Sequence, residues 1–488
     1  MGLYSLSFFI FLVITFGLYW SVFRHSAKSQ NVLLTGASIF FCGWVDLRFL
    51  ALLIFSTVFN FYTGNAIKRN DSPGIRRLLL YSGLVVNIGL LIYYKYADFF
   101  YQSFLEAWSL VEPSSGWQTR YSSLAIILPI GISFFTFQAI GYIIDVYHEE
   151  IEPCKDLLTF ATFITYFPKM TAGPIERAAP FFGQVERKRE FNHELSIDGL
   201  RQILWGCFAK LVIANNCASI AGPIFDNYTH VPASTLVIGA FFYVFQVYCD
   251  FSGYSNMAIG ISKLFGIQLM RNFAAPFFST NIRDYWRKWH ISLSSWMMNY
   301  VFTPVSFLLR RQGKSGLIIS ILITFLIIGI WHGANWTFIV FGLMHGIYFI
   351  PLILSGWSNK GGAAILSRPS LKQIAQMAGL FILVMLTMVV FGATDITQAV
   401  HYFARMFSPS LFSRPVLPGQ LGLSRALVTL VFIMLLLWVE WLQRYKDHEM
   451  RIDSIRSPLL RIGIYYSIFI VIFLFGSIAQ INFLYSQF

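Results

Sequence analysis

LIISILITFLIIGIWHGANWTFIVFGLMHGIYFIP, residues 317–351, decides the fold. It is two apolar runs joined at WHGANW, each near the ~20 residues that a bilayer crossing requires. Upstream lie RDYWRKWHISLSSWMMNYVFTP, residues 283–304, and the basic turn RRQGKSG, residues 310–316. Three of the nine histidines, His290, His332 and His345, fall in this stretch. His332 and His345 sit inside segments apolar enough for a membrane. An ionisable group at that depth is costly, so it faces a protein interior or a watery cavity and marks function by default. Gly333, Ala334 and Asn335 follow His332, and Gly346 follows His345. Small residues there admit a neighbouring helix or a substrate.

Working outward, the whole chain has the same character. Of 488 residues, 56% are hydrophobic and 12% charged, against about 25% charged in an ordinary soluble domain. The composition predicts an all-α, polytopic integral membrane protein. Candidate spans suggest 10–12 crossings, with some short segments re-entrant or interfacial. The net charge of +13 does not indicate nucleic acid, because the basic residues cluster in short loops between apolar runs, as topology signals do. The five cysteines are scattered in mostly apolar context and form neither a disulfide framework nor a CxxC metal pair. There is no HxxxH or HExxH, so no metal site is expected. No internal repeat or separate soluble domain is evident, and residues 1–488 read as one membrane domain with its most specific core at 125–351.

Charge asymmetry sets an expected topology. No charge precedes the first apolar run, Leu3 to Phe23, whereas Arg24, His25 and Lys28 follow it. The run lacks a basic n-region and a cleavage site, so it reads as a first span with its N-terminus extracytoplasmic. Lys68, Arg69, Arg76 and Arg77 mark a cytoplasmic loop, and residues 107–121 an extracytoplasmic one. LPIGISFFTFQAIGYIIDVYHEE, residues 128–150, is apolar but carries Pro129, Gly131, Gln138 and Asp145. It reads either as a kinked span whose polar groups are satisfied by neighbours or as a tunnel wall. Residues 169–201 are the longest polar region, and their Lys169, Arg177, Arg187, Lys188, Arg189 and Arg201 read as a cytoplasmic face. Such a face is a topology signal or an attractor of anionic lipid or a phosphorylated donor.

Asp250 is the lone acid in FFYVFQVYCDFSGYSNMAIGISKLFG, residues 241–266. It is either a site or the partner of a buried cation, with Arg283, Arg287 and Lys288 as candidates. Trp331 and Trp336 bracket His332. An apolar setting disfavours the charged imidazole, and the neutral form is what a general base needs. Removing a hydroxyl proton while a thioester carbonyl is attacked fits this setting. Asn335 lies one turn on if the helix continues, and is a candidate oxyanion donor. His290 either orients a substrate or pairs with Asp250. His345 reads as a structural histidine bonded to a neighbour.

These residues resemble the membrane-bound O-acyltransferase family, within it most of all the branch that O-acetylates bacterial polysaccharides such as alginate. FCGWVDLRFLALLIFSTVFNFYTG, VNIGLLIYYKYADFF, LPIGISFFTFQAIGYIIDVY, YFPKMTAGPIER and FQVYCDFSGYSNMAIGISKLFG are similar to blocks of that branch. NIRDYWRKWHISLSSW and GIWHGANWTFIVFGLMHG are the most specific. The resemblance implies a helical membrane fold around a transbilayer tunnel, with His332 catalytic in the WHG motif and His290 the upstream motif histidine. It implies acyl transfer, most simply of acetate, from a cytoplasmic thioester such as acetyl-CoA, with no tightly bound cofactor. The acceptor would be a hydroxyl of an extracytoplasmic cell-envelope polysaccharide, reached with an extracytoplasmic partner protein. Transfer of D-alanine from a carrier protein, or a non-enzymatic role in transport or export, are the alternatives. The expected location is a bacterial inner membrane.

One departure stands out. After SSW the branch carries Arg-Asp-Tyr, whereas this chain has Met298, Asn299 and Tyr300. The final FLYSQF is similar to the ending of the branch and to a peptide motif of the related D-alanylation system. That likeness makes Tyr485 a candidate acyl relay, the alternative being an interfacial aromatic residue.

Overall fold

A computed structural model describes residues 2–44, 46–111, 124, 126–356, 368–417, 419 and 422–477. Their regular structure is entirely helical. Nine helices among them are long and apolar enough to cross a membrane, and Leu6–Ser21 and Ile132–Tyr147 are shorter apolar helices. Most of the loop at 107–121 and Tyr485 lie outside the described residues. The chain divides into two compact units, one of residues 2–196 and 261–269, the other of 197–260 and 270–477.

In the first unit, Asp46 caps the start of Leu47–Arg69, accepting from the Arg48 backbone N–H, as N-cap acids do. The stretch read as a kinked span is unkinked. Gly131 takes the left-handed conformation (φ 71°) just before Ile132–Tyr147, so Pro129 and Gly131 lie ahead of the helix rather than within it. Leu157–Thr165 is a mostly buried helix of nine residues, shorter than a bilayer crossing requires.

Residues 169–201 depart furthest from expectation. Lys169, Arg189 and Arg201 are buried, not displayed on a basic face. Lys169 donates to Gln138 and lies 4.4 Å over the Phe163 ring. Arg189 donates to Tyr19 (2.7 Å), Asn31 (2.8 Å) and the Val185 carbonyl (2.9 Å). Arg189 is held by neutral acceptors, and Lys169 by an amide, an aromatic face and the nearby buried carboxylate of Glu176, which offset the cost of burial. Arg201, in the second unit, pairs with Asp453.

The second unit is organised around two mostly buried helical spans, Ala233–Leu264 and His193–Asp226. The latter includes a π-helical turn at Phe208–Ala214. Backbones meet closely at glycines: a Cβ on Gly206 would stand 2.6 Å from the Gly253 carbonyl oxygen. Only small residues allow helices that close. The turn presents Lys210 to Asp250 at 2.5 Å, both buried. The second unit also contains the 317–351 hairpin and the outer helix Pro458–Phe475, which has no buried residue and turns Leu459, Phe473 and Leu474 outward.

Candidate functional site

The hairpin turns at the WHG motif. Gly313–His332 ends on His332, Gly333 is extended, and Trp336–Tyr348 begins after Asn335. The two helices touch through glycine. A Cβ on Gly342 would lie 2.3 Å from the Phe325 carbonyl oxygen, and one on Gly329 2.4 Å from that of Phe338. A Cβ on Gly333 would strike the Phe338 ring at 2.4 Å. The space beside these small residues is therefore filled by the chain itself.

His332 is buried. Its ring stands edge-on to Phe341 (5.5 Å) and Phe391 (5.2 Å) and lies 5.0 Å from Trp331. Phe391 comes from Leu371–Gly392, so a third helix closes this wall. The imidazole is thus walled by aromatic rings.

His290 also lies near Trp331, 5.5 Å from its ring. His290 is fully buried, adopts the left-handed conformation (φ 44°, ψ 55°) and precedes Ile291–Met297. Such a conformation in a non-glycine residue persists only where the surroundings over-determine it. Here Asn272 does so. Its carbonyl accepts from the Ile291 N–H at 2.9 Å. Its Oδ1 accepts from the Ser292 hydroxyl (2.9 Å) and N–H (3.3 Å), and its amide donates to Ser255 (3.1 Å). Asn272 Oδ1 also lies 3.1 Å from His290 Nδ1. An oxygen that already accepts from Ser292 fixes the polarity of that contact: His290 Nδ1 carries the proton and donates. In the neutral ring Nε2 is then the lone-pair nitrogen. It is buried and meets no hydrogen-bond partner among the described residues.

His345 is also fully buried. It accepts the indole N–H of Trp286 at Nδ1 (3.4 Å) and lies parallel to Tyr285 at 6.3 Å. The neighbour is an indole rather than the expected carbonyl.

The sequence-derived candidates therefore separate. His332, Trp331 and His290 come together. Asn335 is bonded within the chain. Its Oδ1 caps Trp336–Tyr348 through the Thr337 N–H (2.9 Å), and its amide donates to the Thr394 carbonyl (2.7 Å). Trp336 is exposed. Asp250 pairs with Lys210, a cation the sequence did not single out, and His290 bonds Asn272. Gln138 belongs to the first unit, bound to Lys169. Sequence reasoning missed Asn272 and Lys210. Asn272 is a single amide in RNFAAPFF, and nothing in that string announces its burial. Among the described residues, no group of three or more His, Cys, Asp or Glu side chains gathers as a metal site.

Residues 155–357 match the profile of MBOAT, the membrane-bound O-acyltransferase family. The chain is 34% identical over 403 residues to the protein named "Probable alginate O-acetylase AlgI" of Pseudomonas syringae pv. tomato, covering 82% of this chain and 74% of that one. The chain belongs to the membrane-bound O-acyltransferase family. It is also 34% identical over 376 residues to the peptidoglycan O-acetyltransferase of Helicobacter pylori, covering 71% of this chain and 69% of that protein. Over 249 residues it is 30% identical to the teichoic acid D-alanyltransferase of Streptococcus thermophilus, covering 47% and 58%. The match to the family profile contains His290, Trp331 and His332. Family and helices together make the chain a multi-pass membrane O-acyltransferase.

Proposed function

We propose that this enzyme moves an acetyl group from a cytoplasmic thioester, acetyl-CoA or a carrier-bound equivalent, to a hydroxyl of an extracytoplasmic cell-envelope polysaccharide. The observation that carries the chemistry is that His290 and His332 both lie against Trp331, buried among aromatic rings. His332 is the general base. Its imidazole takes the hydroxyl proton as the oxygen attacks the thioester carbonyl. The tetrahedral adduct collapses, the C–S bond breaks, and the thiolate leaves with the proton that His332 held. Burial keeps the base neutral and competing water out. His290, whose Nδ1–H is tied to Asn272, directs Nε2 at the reacting groups as a second acceptor.

The polysaccharide acceptor is favoured by the likeness to an alginate O-acetylase and a peptidoglycan O-acetyltransferase over most of the chain. Transfer of D-alanine is the second reading, supported over about half of it. In either case an extracytoplasmic partner completes delivery to the polymer, and Tyr485 is the candidate relay. The inner membrane, with the N-terminus extracytoplasmic, is the location this reading needs.

The test is the O-acyl ester content of isolated envelope polysaccharides from wild type, a deletion and His332→Ala at matched membrane levels. Loss of acetate from one polymer in both mutants supports the reading and names the acceptor. Unchanged acyl content in both refutes it, and loss of D-alanyl ester in place of acetate selects the second reading.

A further inference from the structure

The second unit encloses a cavity of about 580 Å³ whose lining does not include His290 or His332. That volume is within the range of small-molecule sites. Leu317, Ile321, Phe325, Phe349 and Leu352 form an apolar wall. They belong to Arg310–His332 and Trp336–Leu354, two of the candidate spans, so the cavity lies at bilayer depth. Arg283 and Arg287 also line it.

These two arginines are spaced four residues apart, which brings like charges together on one helical face. Burial and the neighbouring Arg287 both hold Arg283 below the ordinary guanidinium range, opposed by Asp284. An anion beside the pair would remove that repulsion, and two guanidinium forks suit a phosphate. Met298 completes the contrast. It lines the cavity and is exposed. Here the wall is apolar, polarisable and adaptable, as a flexible alkyl chain requires. Beside the cavity, the span begins at the basic residues Arg310, Arg311 and Lys314, a cytoplasmic signature. Basic pockets between membrane helices on that side recur as headgroup sites for anionic lipids.

We propose that this cavity holds one acyl chain of an anionic phospholipid, with the lipid phosphate on Arg283 and Arg287. The chain lies along the Leu317–Ile321–Phe325 wall and passes Met298. Trp286 also lines the cavity, and its indole N–H is bonded to His345. Bound lipid thereby buttresses the aromatic packing below the histidines. The proposal is independent of which acyl group the enzyme transfers.

The experiment uses the full chain in phosphatidylcholine nanodiscs doped with phosphatidylglycerol bearing a photoreactive group in mid-chain. After irradiation, label should concentrate on residues 294–302 and 317–328. Unlabelled phosphatidylglycerol should displace it, and added phosphatidylcholine should not. Arg283→Gln with Arg287→Gln should lower cavity labelling on the order of tenfold or more. Met298→Trp, which fills the alkyl end and leaves both arginines, should abolish it. Thermal melting checks that each variant is folded, and the competition on the unmodified chain decides the matter if one is not. Labelling spread evenly over Pro458–Phe475 and other outward faces, insensitive to phosphatidylglycerol, overturns the proposal. Displacement by coenzyme A as effective as by phosphatidylglycerol also overturns it, because the phosphate site then serves a soluble thioester.

Discussion

Arg189 in the first unit and His290 in the second are both buried polar side chains, and the chain treats them in opposite ways. Arg189 spends its guanidinium on Tyr19, Asn31 and Val185, and its backbone N–H on Gln30 (2.9 Å). Asn60 and Asn87 in the same unit close a reciprocal amide pair at 2.7 and 3.2 Å. In contrast, His290 is clamped on one nitrogen by Asn272 and left open on the other among the described residues. A buried polar group whose bonds close within the chain is architecture. One that is fixed in orientation and left open is prepared for something the chain does not supply.

The largest effect should come from removing the general base. His332→Ala should lower acyl transfer about 10²–10⁴-fold, the usual worth of a general base, with thermal stability unchanged. Isotopic acetyl transfer and a melting curve on the same preparation read both quantities. Arg189→Met should do the reverse. It strands Tyr19, Asn31 and the Val185 carbonyl, so unfolding in detergent should become easier by about 3 kcal/mol, at roughly 1 kcal/mol or more for each buried group left unsatisfied. Activity per folded molecule should stay near wild type.

Asn272→Ala falls between the two and sharpens the contrast. It releases the His290 tautomer and the Ser292 contacts, so activity should drop about a hundredfold, the cost of misplacing a reacting group. Asn272→Asp keeps the acceptor for His290 Nδ1 and should recover much of that loss, which a merely structural Asn272 would not predict. The smallest effect belongs to Asn335→Ala. It loses a helix cap worth about 1 kcal/mol, read as a lower melting temperature, with the transfer rate unaltered.

How much was legible in the sequence follows the same division. Hydropathy located the 317–351 hairpin and most spans, since a bilayer demands long apolar runs. The WHG and WHIS motifs marked His332 and His290 without geometry. Partnerships across the chain were illegible. Asp250 was matched to nearby arginines, whereas Lys210 reaches it from a π-helical turn forty residues upstream that no hydropathy pattern encodes. Residues 169–201 looked like a basic face because charge in a sequence does not reveal aromatic or amide neighbours that permit burial. Asn335 looked catalytic only while the helix was assumed to run past His332. Gly333 ends it, and the asparagine becomes a cap.

The central claim is that His332 performs the acyl chemistry while its buried neighbours hold the wall around it. Thiol release from acetyl-CoA by the purified chain in proteoliposomes, with a hydroxyl acceptor present, tests it most directly. The account predicts that His332→Ala releases thiol at least about a hundredfold more slowly than wild type, and that His345→Phe, which preserves the aromatic packing, stays within a few-fold. Thiol release by His332→Ala at the wild-type rate would contradict it.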